Sequence, residues 1–372
     1  MAVIEGRTAG GAPVRVEVAG DRIAAVTPLR TAPDLLLLPG LVDLQVNGYG
    51  GHDFNGADAE PAEAVRALWR RGTTTLCPTV ITAPEAAILA SLRAIARARE
   101  RDPLIRQAIP AIHVEGPYLS HEDGPRGAHD AAALRDPDLA EFDRWQEACG
   151  GLVRIVTLAP ERRGALAYIE ELSRRGVIVA IGHTAATPER VTAAVAAGAR
   201  LSTHLGNGAH RLLPRHPNHL WTQLADDRLT ASLIADGHHL PSDTFTAMLR
   251  AKGPGRSVLV SDSVALAGCA PGDYDTPVGG RITAHPDGRL TLPGGDLLAG
   301  SGSSLMDCVA WAAATGLGLA EAVTLATTAP ARLLGRTDLG RLTPGARADL
   351  VVATPDLSIR RTYVNGEVVF HA

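Results

Sequence analysis

The stretch Ala-Ile-His-Val-Glu-Gly-Pro at residues 111–117 is a short apolar run that ends in a carboxylate, Glu115. Three further runs, at 179–184, 201–205 and 258–263, end in the same way with His183, His204 and Asp262. A strand buried in a parallel sheet reads as a continuous apolar run, and parallel barrels carry their sites at the C-terminal strand ends. The four runs therefore predict a parallel α/β barrel with a functional site at one end.

Predicted strands alternate with predicted helices through the middle of the chain. We expect eight strands, at residues 41–46, 73–81, 108–114, 153–158, 177–181, 199–203, 230–235 and 257–260. Eight strands with intervening helices close naturally into a (β/α)8 TIM-like barrel. Residues 273–293 break this rhythm, because 278–282 and 289–292 predict a β hairpin that turns at 286–288.

Both ends of the chain have β character. Short alternating stretches occur at 14–18, 20–26, 348–352 and 361–369, and Asn365-Gly366 is a strong hairpin turn signal. We expect one small β-sandwich domain built from residues 1–39 and 338–372. The barrel would then occupy residues 40–337.

The composition excludes several functional classes. Of the 372 residues, 45% are hydrophobic and 20% charged, which is typical of a globular protein. The net charge is −4 and there is no basic tract, so nucleic acid is not an expected partner. The sequence has no run long enough to span a membrane and no recognisable signal peptide. The four cysteines are scattered, so we expect reduced thiols and a cytoplasmic enzyme.

The residues at three strand ends match a catalytic metal site. A bound divalent metal supplies a nucleophilic water and polarises a carbonyl, and His2Glu is a known ligand set for zinc. Taken singly, Glu115 could cap a turn, His183 could lie in a loop and His204 could be a core histidine. Three suitable ligands at three strand ends together favour the metal. Asp262 could be a turn residue, but its place across the barrel favours a proton carrier.

Other polar residues refine this hypothesis. The first strand ends in Gln45 and Asn47, where a second metal would need better ligands, and the predicted fourth strand has no lysine. One metal is therefore expected, although a weak second site near these amides stays open. Backbone N–H groups of Asn207 and Gly208 suit an anion, but an ordinary loop is an equal alternative. Of His238 and His239, one is expected to face the site.

The motifs together resemble the N-acetylglucosamine-6-phosphate deacetylases of the amidohydrolase superfamily. The matching segments lie at residues 39–48, 113–117, 182–184, 203–205, 235–239, 260–262, 298–301 and 345–351. The resemblance implies one divalent metal on Glu115, His183 and His204, with zinc expected and iron, cobalt or manganese as alternatives. It implies that Asp262 is the general base and then the acid.

The resemblance also implies how the substrate is held. Substrate contacts would come from His129 and His239, and Arg215 would reach the sugar phosphate of a neighbouring subunit in a homodimer. The reaction would convert N-acetylglucosamine 6-phosphate to glucosamine 6-phosphate and acetate. Two segments where the phosphate would bind depart from the family pattern, at 207–210 and 215–218. The alternatives are another N-acyl amino sugar, of different epimer or unphosphorylated, or a barrel that has lost catalysis and acts as a binding protein.

Overall fold

The computed structural model of the chain describes residues 2–56, 58–276, 280–295 and 297–372. Its strands are, in chain order, β1 (Ala2–Arg7), β2 (Pro13–Ala19), β3 (Arg22–Pro28), β4 (Leu36–Pro39), β5 (Leu41–Val46), β6 (Gly48–Tyr49), β7 (His52–Asp53), β8 (Thr73–Ile81), β9 (Ile112–Glu115), β10 (Val153–Leu158), β11 (Ile178–Ile181), β12 (Leu201–Ser202), β13 (Thr230–Ile234), β14 (Ser257–Val260), β15 (Gly272–Thr276), β16 (Gly280–Ala284), β17 (Leu290–Thr291), β18 (Leu350–Ala353), β19 (Ile359–Val364) and β20 (Glu367–His371).

Helices connect most of the central strands. The α-helices are α1 (Pro61–Trp69), α2 (Glu85–Arg101), α3 (Pro103–Ala108), α4 (Leu139–Cys149), α5 (Ala165–Arg174), α6 (Pro188–Ala196), α7 (His219–Ala225), α8 (Ser242–Lys252), α9 (Leu305–Ala312), α10 (Leu319–Leu325) and α11 (Thr328–Leu333). Short 3-10 turns lie at Ala131–Ala133 and Pro254–Arg256, and a π turn at Ala313–Leu317 follows α9. Within the described ranges, no helix is long and apolar enough to cross a membrane.

The central sheet confirms the predicted barrel. Its eight strands, in the order β14-β13-β12-β11-β10-β9-β8-β5, form parallel ladders between neighbours. Single backbone bonds join the first strand to the last, since Asp262 N–H donates to Gln45 O at 2.9 Å and Asn47 N–H donates to Ser263 O at 2.7 Å. The C-terminal ends of β9, β11, β12 and β14 therefore meet at one mouth.

Apolar patterning accounts for most of the barrel. The strands β5, β9 and β14 are buried along their whole length, as their continuous apolar runs predict. On α2, the residues Ile88, Leu92 and Ile95 lie at helical spacing and are completely buried. The third strand begins at Ile112 rather than at the predicted residue 108, because residue 108 is still the last residue of α3. Asp102 caps that helix by accepting the N–H groups of residues 104 and 105, and proline occupies its first position.

The two chain ends form one separate sheet, as predicted. Its order is β20-β19-β18-β4-β1-β2-β3, and it curls so that Ile23 N–H donates to Ala346 O at 2.9 Å. The two halves enclose an apolar cluster that includes Val16, Leu37 and Leu350. Arg347 attaches this sheet to the barrel by donating to Thr75 Oγ1 at 2.7 Å.

A small antiparallel sheet interrupts the barrel after β14. The predicted hairpin corresponds to β16 and β17, and β15 adds a third strand that the sequence did not indicate. Residues 278 and 279 of the predicted hairpin lie outside the described residues. Asp275 and Ile282 of this sheet reach the wall of the cavity at the barrel mouth, so the insertion covers part of the site.

Candidate active site

Three side chains converge at the C-terminal end of the barrel. Glu115 is the last residue of β9, while His183 and His204 follow β11 and β12. Glu115 Oε1 lies 3.1 Å from His204 Nε2 and 3.4 Å from His183 Nε2, and the two Nε2 atoms are 3.0 Å apart. Their potential ligand atoms all lie within 4.8 Å of one another. The predicted His2Glu set is thus brought together.

The backbone bends sharply at these positions. His183, His204 and Asp262 have φ values of 50°, 28° and 48°, in the left-handed region that residues other than glycine seldom occupy. Such conformations cost about 1–3 kcal/mol each and cluster at functional sites. Each bend turns a side chain at a strand end into the barrel mouth.

The donor set fits a divalent cation. His183 Nδ1 is 2.9 Å from the carbonyl oxygen of Pro125, so this nitrogen carries the proton and Nε2 keeps its lone pair for a metal. With Nε2 of His204 and the carboxylate of Glu115, three lone-pair donors face one point, which is the arrangement of a catalytic zinc site. Gly208 lies against the same ring, because a Cβ there would come 2.7 Å from His183 Nδ1.

Glu115 is held as an anion. Burial alone would raise its pKa, but positive charge beside His183 and His204, on the imidazoles themselves or on a cation held by their Nε2 atoms, keeps the pKa well below its usual range. Gln45 Nε2 also donates to Glu115 Oε1 at 3.0 Å. The amide at the end of β5 therefore orients the carboxylate of a candidate ligand.

Asp262 faces the same cavity with a raised pKa. Burial and the neighbouring charge of Glu115 raise the pKa to about 6, while Asn47 opposes the shift by donating Nδ2–H to Asp262 Oδ1 at 2.9 Å. Below this carboxyl, Asp43 accepts the N–H groups of Gln45 and Ser261 with one oxygen and joins β5 to β14. Burial raises the pKa of Asp43 to about 7. Asp262, which lines the cavity, can therefore both take and return a proton near neutral pH.

A cavity of about 470 Å3 at the barrel mouth holds most of the predicted substrate residues. His129, Asn207 and His239 line it together with the three candidate ligands and Asp262. His129 Nε2 lies 3.2 Å from His183 Nε2, and burial lowers the pKa of His129 to about 3. Arg215 is exposed and lies outside the lining of this cavity.

The two histidines after β13 have different surroundings. His239 lines the cavity, whereas His238 Nε2 lies 3.0 Å from the carbonyl oxygen of Asp287. Asp236, which the sequence did not single out, contacts His239 Nδ1 at 2.6 Å. The available signal was the Asp-Gly-His-His pattern, because an Asp two residues before a backbone N–H often forms a local turn.

The comparisons with known proteins agree with this geometry. Residues 36–369 match the amidohydrolase family. The chain belongs to that family. It is therefore a hydrolase that acts on an amide, as predicted from the strand-end residues.

Individual relatives are more specific. The N-acetylgalactosamine-6-phosphate deacetylase of Escherichia coli O157:H7 is 34% identical over 363 residues, 95% of this chain and 94% of that protein. The N-acetylglucosamine-6-phosphate deacetylase of Bos taurus is 35% identical over 355 residues, 90% of this chain and 83% of that protein. The crystal structure of N-acetyl-D-glucosamine-6-phosphate deacetylase from Mycobacterium smegmatis is 34% identical, with a TM-score of 0.89 and full coverage of both chains. The resemblance predicted from the motifs is confirmed.

Proposed function

We propose that this protein is a metal-dependent deacetylase that hydrolyses the N-acetyl amide of N-acetylglucosamine 6-phosphate to glucosamine 6-phosphate and acetate. The observation that carries the proposal is the convergence of Glu115, His183 and His204 with Asp262 in one cavity. The relatives support the substrate, since a mutant of the Mycobacterium smegmatis enzyme has been solved in complex with N-acetyl-D-glucosamine-6-phosphate. A relative that acts on the galactosamine epimer keeps that sugar as the second candidate.

In this mechanism each side chain has a separate role. A divalent metal held by Glu115, His183 and His204 would polarise the acetamide carbonyl and lower the pKa of a water. Asp262 takes the proton from the attacking water as general base. It then returns that proton to the nitrogen of the leaving amine, so that acetate and the free amine are released. His129 and His239 hold the sugar beside the backbone of Asn207, which lines the cavity, while Gly208 lies outside the lining and packs against the ring of His183.

One metal, most simply zinc, is our proposal. Gln45 and Asn47 hold the positions where a second ion would need ligands, and their amide nitrogens already donate to Glu115 and Asp262. Both amides thus act as hydrogen-bond donors to carboxylates rather than as ligands. Iron, cobalt or manganese would also accept the His2Glu set.

We further propose a cytoplasmic homodimer in which Arg215 of one subunit serves the site of the other. Arg215 is exposed, and the described cavity lining contains no lysine or arginine side chain. A phosphate at the cavity would therefore need a cation from elsewhere. The four free cysteines suit a reducing compartment.

The substitution Asp262→Asn tests the proposed mechanism. The amide keeps the size of the side chain but cannot take a proton, so acetate release should fall at least ~100-fold, the usual range for general acid–base groups. Metal content, measured by elemental analysis, should stay at one equivalent. Full turnover in the metal-loaded variant would refute the proton-transfer role of Asp262.

A further inference from the structure

A chain of polar side chains crosses the barrel interior next to the candidate metal ligands. His113 Nδ1 lies 3.1 Å from the carbonyl oxygen of Leu44, and His113 Nε2 lies 2.7 Å from Thr157 Oγ1. Thr157 Oγ1 in turn lies 2.7 Å from Thr203 Oγ1. His113 and both threonines are buried, and none of the three takes part in the proposed mechanism. Bulky apolar side chains usually fill the interior of such a barrel, so this polar chain is unusual.

The hydrogen bonds of the polar chain run in one direction. The carbonyl oxygen of Leu44 can only accept, so His113 Nδ1 carries the proton and Nε2 is left to accept. Thr157 therefore donates to His113, and Thr203 donates to Thr157. Each of the three hydrogens then has an acceptor. A buried polar network that is satisfied in this way makes its surroundings rigid.

The polar chain joins strands that are not neighbours in the sheet. β8 lies between β9, which carries His113, and β5, which carries Leu44. β11 lies between β10, which carries Thr157, and β12, which Thr203 follows. Gly182, directly after β11, makes room for the contact between the threonines, because a Cβ there would come 2.8 Å from Thr157 Cγ2 and from Thr203 Cβ. The contact across β11 thus depends on a residue without a side chain.

The two outer members of the polar chain are close in sequence to candidate ligands. His113 comes two residues before Glu115 on β9, so both side chains point into the barrel. Thr203 directly precedes His204. The ligand atoms of Glu115, His183 and His204 lie within 4.8 Å of one another, where their lone pairs repel. The fold must therefore hold these atoms together before a metal binds.

We propose that His113, Thr157 and Thr203 are positioning residues for the metal, because their hydrogen bonds hold Glu115 and His204 at the spacing that a divalent cation requires. The inference rests on the proposed function and adds to it the groups that preorganise the metal site. Without these bonds, β9 and the segment after β12 are free to move apart. Metal binding then includes the cost of bringing the ligands together, and the affinity falls.

Substitutions at Thr203 test this role, because its hydroxyl and its methyl group can be removed separately. Thr203→Val keeps the shape of the side chain, removes the hydrogen bond to Thr157 and leaves no hydrogen of the polar chain without an acceptor. Thr203→Ser keeps the hydroxyl and removes the methyl group. The zinc affinity of each purified variant is measured by competition with a chelator. We expect Thr203→Val to bind zinc about 3- to 10-fold more weakly, as for the loss of one neutral hydrogen bond, and Thr203→Ser to stay within about twofold of the wild type.

Thr73→Val is the matched control. Thr73 is completely buried, but it begins β8 at the opposite end of the barrel, and its hydroxyl has no hydrogen-bond partner among the described residues. Its zinc affinity should equal that of the wild type. The visible absorption of bound cobalt depends on ligand geometry, so it should shift in Thr203→Val and stay unchanged in Thr73→Val. In a Thr157→Val background, Thr203→Val should have no further effect, because the bond between the two residues is already lost.

Two results would overturn the inference. One is a zinc affinity of Thr203→Val equal to that of the wild type. The other is an equal loss of affinity in Thr203→Ser, which would show that packing matters and the hydrogen bond does not. If Thr203→Val does not fold, Thr157→Val and Thr157→Ser allow the same comparison.

Acetate release separates this inference from the proposed function. A wild-type protein that binds one equivalent of zinc and releases no acetate would refute the proposed function, while the zinc affinities would still decide the inference. A wild-type protein that releases acetate, with unchanged zinc affinity in Thr203→Val, would leave the deacetylase intact and refute the positioning role.

Discussion

Asn47 offers a sharp test of how the site prepares its proton carrier. Its Nδ2–H donates to Asp262 Oδ1 at 2.9 Å, and both side chains are at least nine-tenths buried. The substitution Asn47→Ala removes this donor without touching the candidate metal ligands. The bond favours the charged form of Asp262 and fixes the orientation of its carboxylate. Its loss therefore leaves a smaller fraction of Asp262 ionised at a given pH and lets the carboxylate turn away from the proton that it must accept.

The expected size of the effect follows from the kind of bond. A hydrogen bond to a charged group contributes about 1.5–3 kcal/mol, and 1.36 kcal/mol is tenfold in rate. We expect kcat to fall by about 10- to 150-fold in Asn47→Ala. Asp262, with a pKa of about 6, is the active base only above that value, so activity falls as the pH drops through it. Removing the donor raises this pKa further and moves the acid limb of the profile to higher pH.

The assay is a pH–rate profile of acetate release by wild type and Asn47→Ala at equal metal content. Asp53→Asn, a change at another polar position of the cavity wall, serves as the control for a general disturbance of the lining. If kcat and the acid limb of Asn47→Ala both match those of the wild type, the link from Asn47 to Asp262 has no catalytic importance. If metal is lost instead, the amide acts on the ligand set.

Two further predictions concern the metal and the fold. Gln45→Leu removes the donor to Glu115 Oε1 and should weaken metal binding about 10- to 100-fold, measured by competition with a chelator; an unchanged affinity would show that the amide does not orient the ligand. Arg347→Leu leaves the buried carboxylate of Asp349 without its cation and should lower the free energy of unfolding by about 3–5 kcal/mol in urea. The exposed Arg361→Leu is its control, and equal stability of the two variants would argue against a buried link between terminal sheet and barrel.

The barrel and its strand-end residues could be predicted because each depends on a local pattern. A parallel strand buried on both faces must be apolar throughout, so the runs before Glu115, His183, His204 and Asp262 identify the strands. Closure of the barrel then brings their C-terminal ends together without any knowledge of long-range contacts. The ends of the strands were less predictable. The sixth strand was predicted at residues 199–203, but only residues 201–202 pair with the neighbouring strands.

Other parts of the site depend on long-range geometry. Asn47 meets Asp262 across the seam between the first and last strands, and the register of that seam does not appear in either segment alone. The sequence analysis did not predict the helix α4 (Leu139–Cys149). Many of its residues are polar, and only a few, such as Trp145, are buried. The pairing of Asp236 with His239 required side-chain directions that a four-residue turn does not reveal.

The most direct test of the proposed function is acetate release by the purified, metal-loaded protein from four compounds. These are N-acetylglucosamine 6-phosphate, N-acetylgalactosamine 6-phosphate and the two sugars without phosphate. We expect the glucosamine phosphate to have the highest kcat/KM, with activity lost on chelation and restored by zinc. Acetate release from none of the four, with one equivalent of metal bound, would contradict the assignment of this site as an amino-sugar deacetylase.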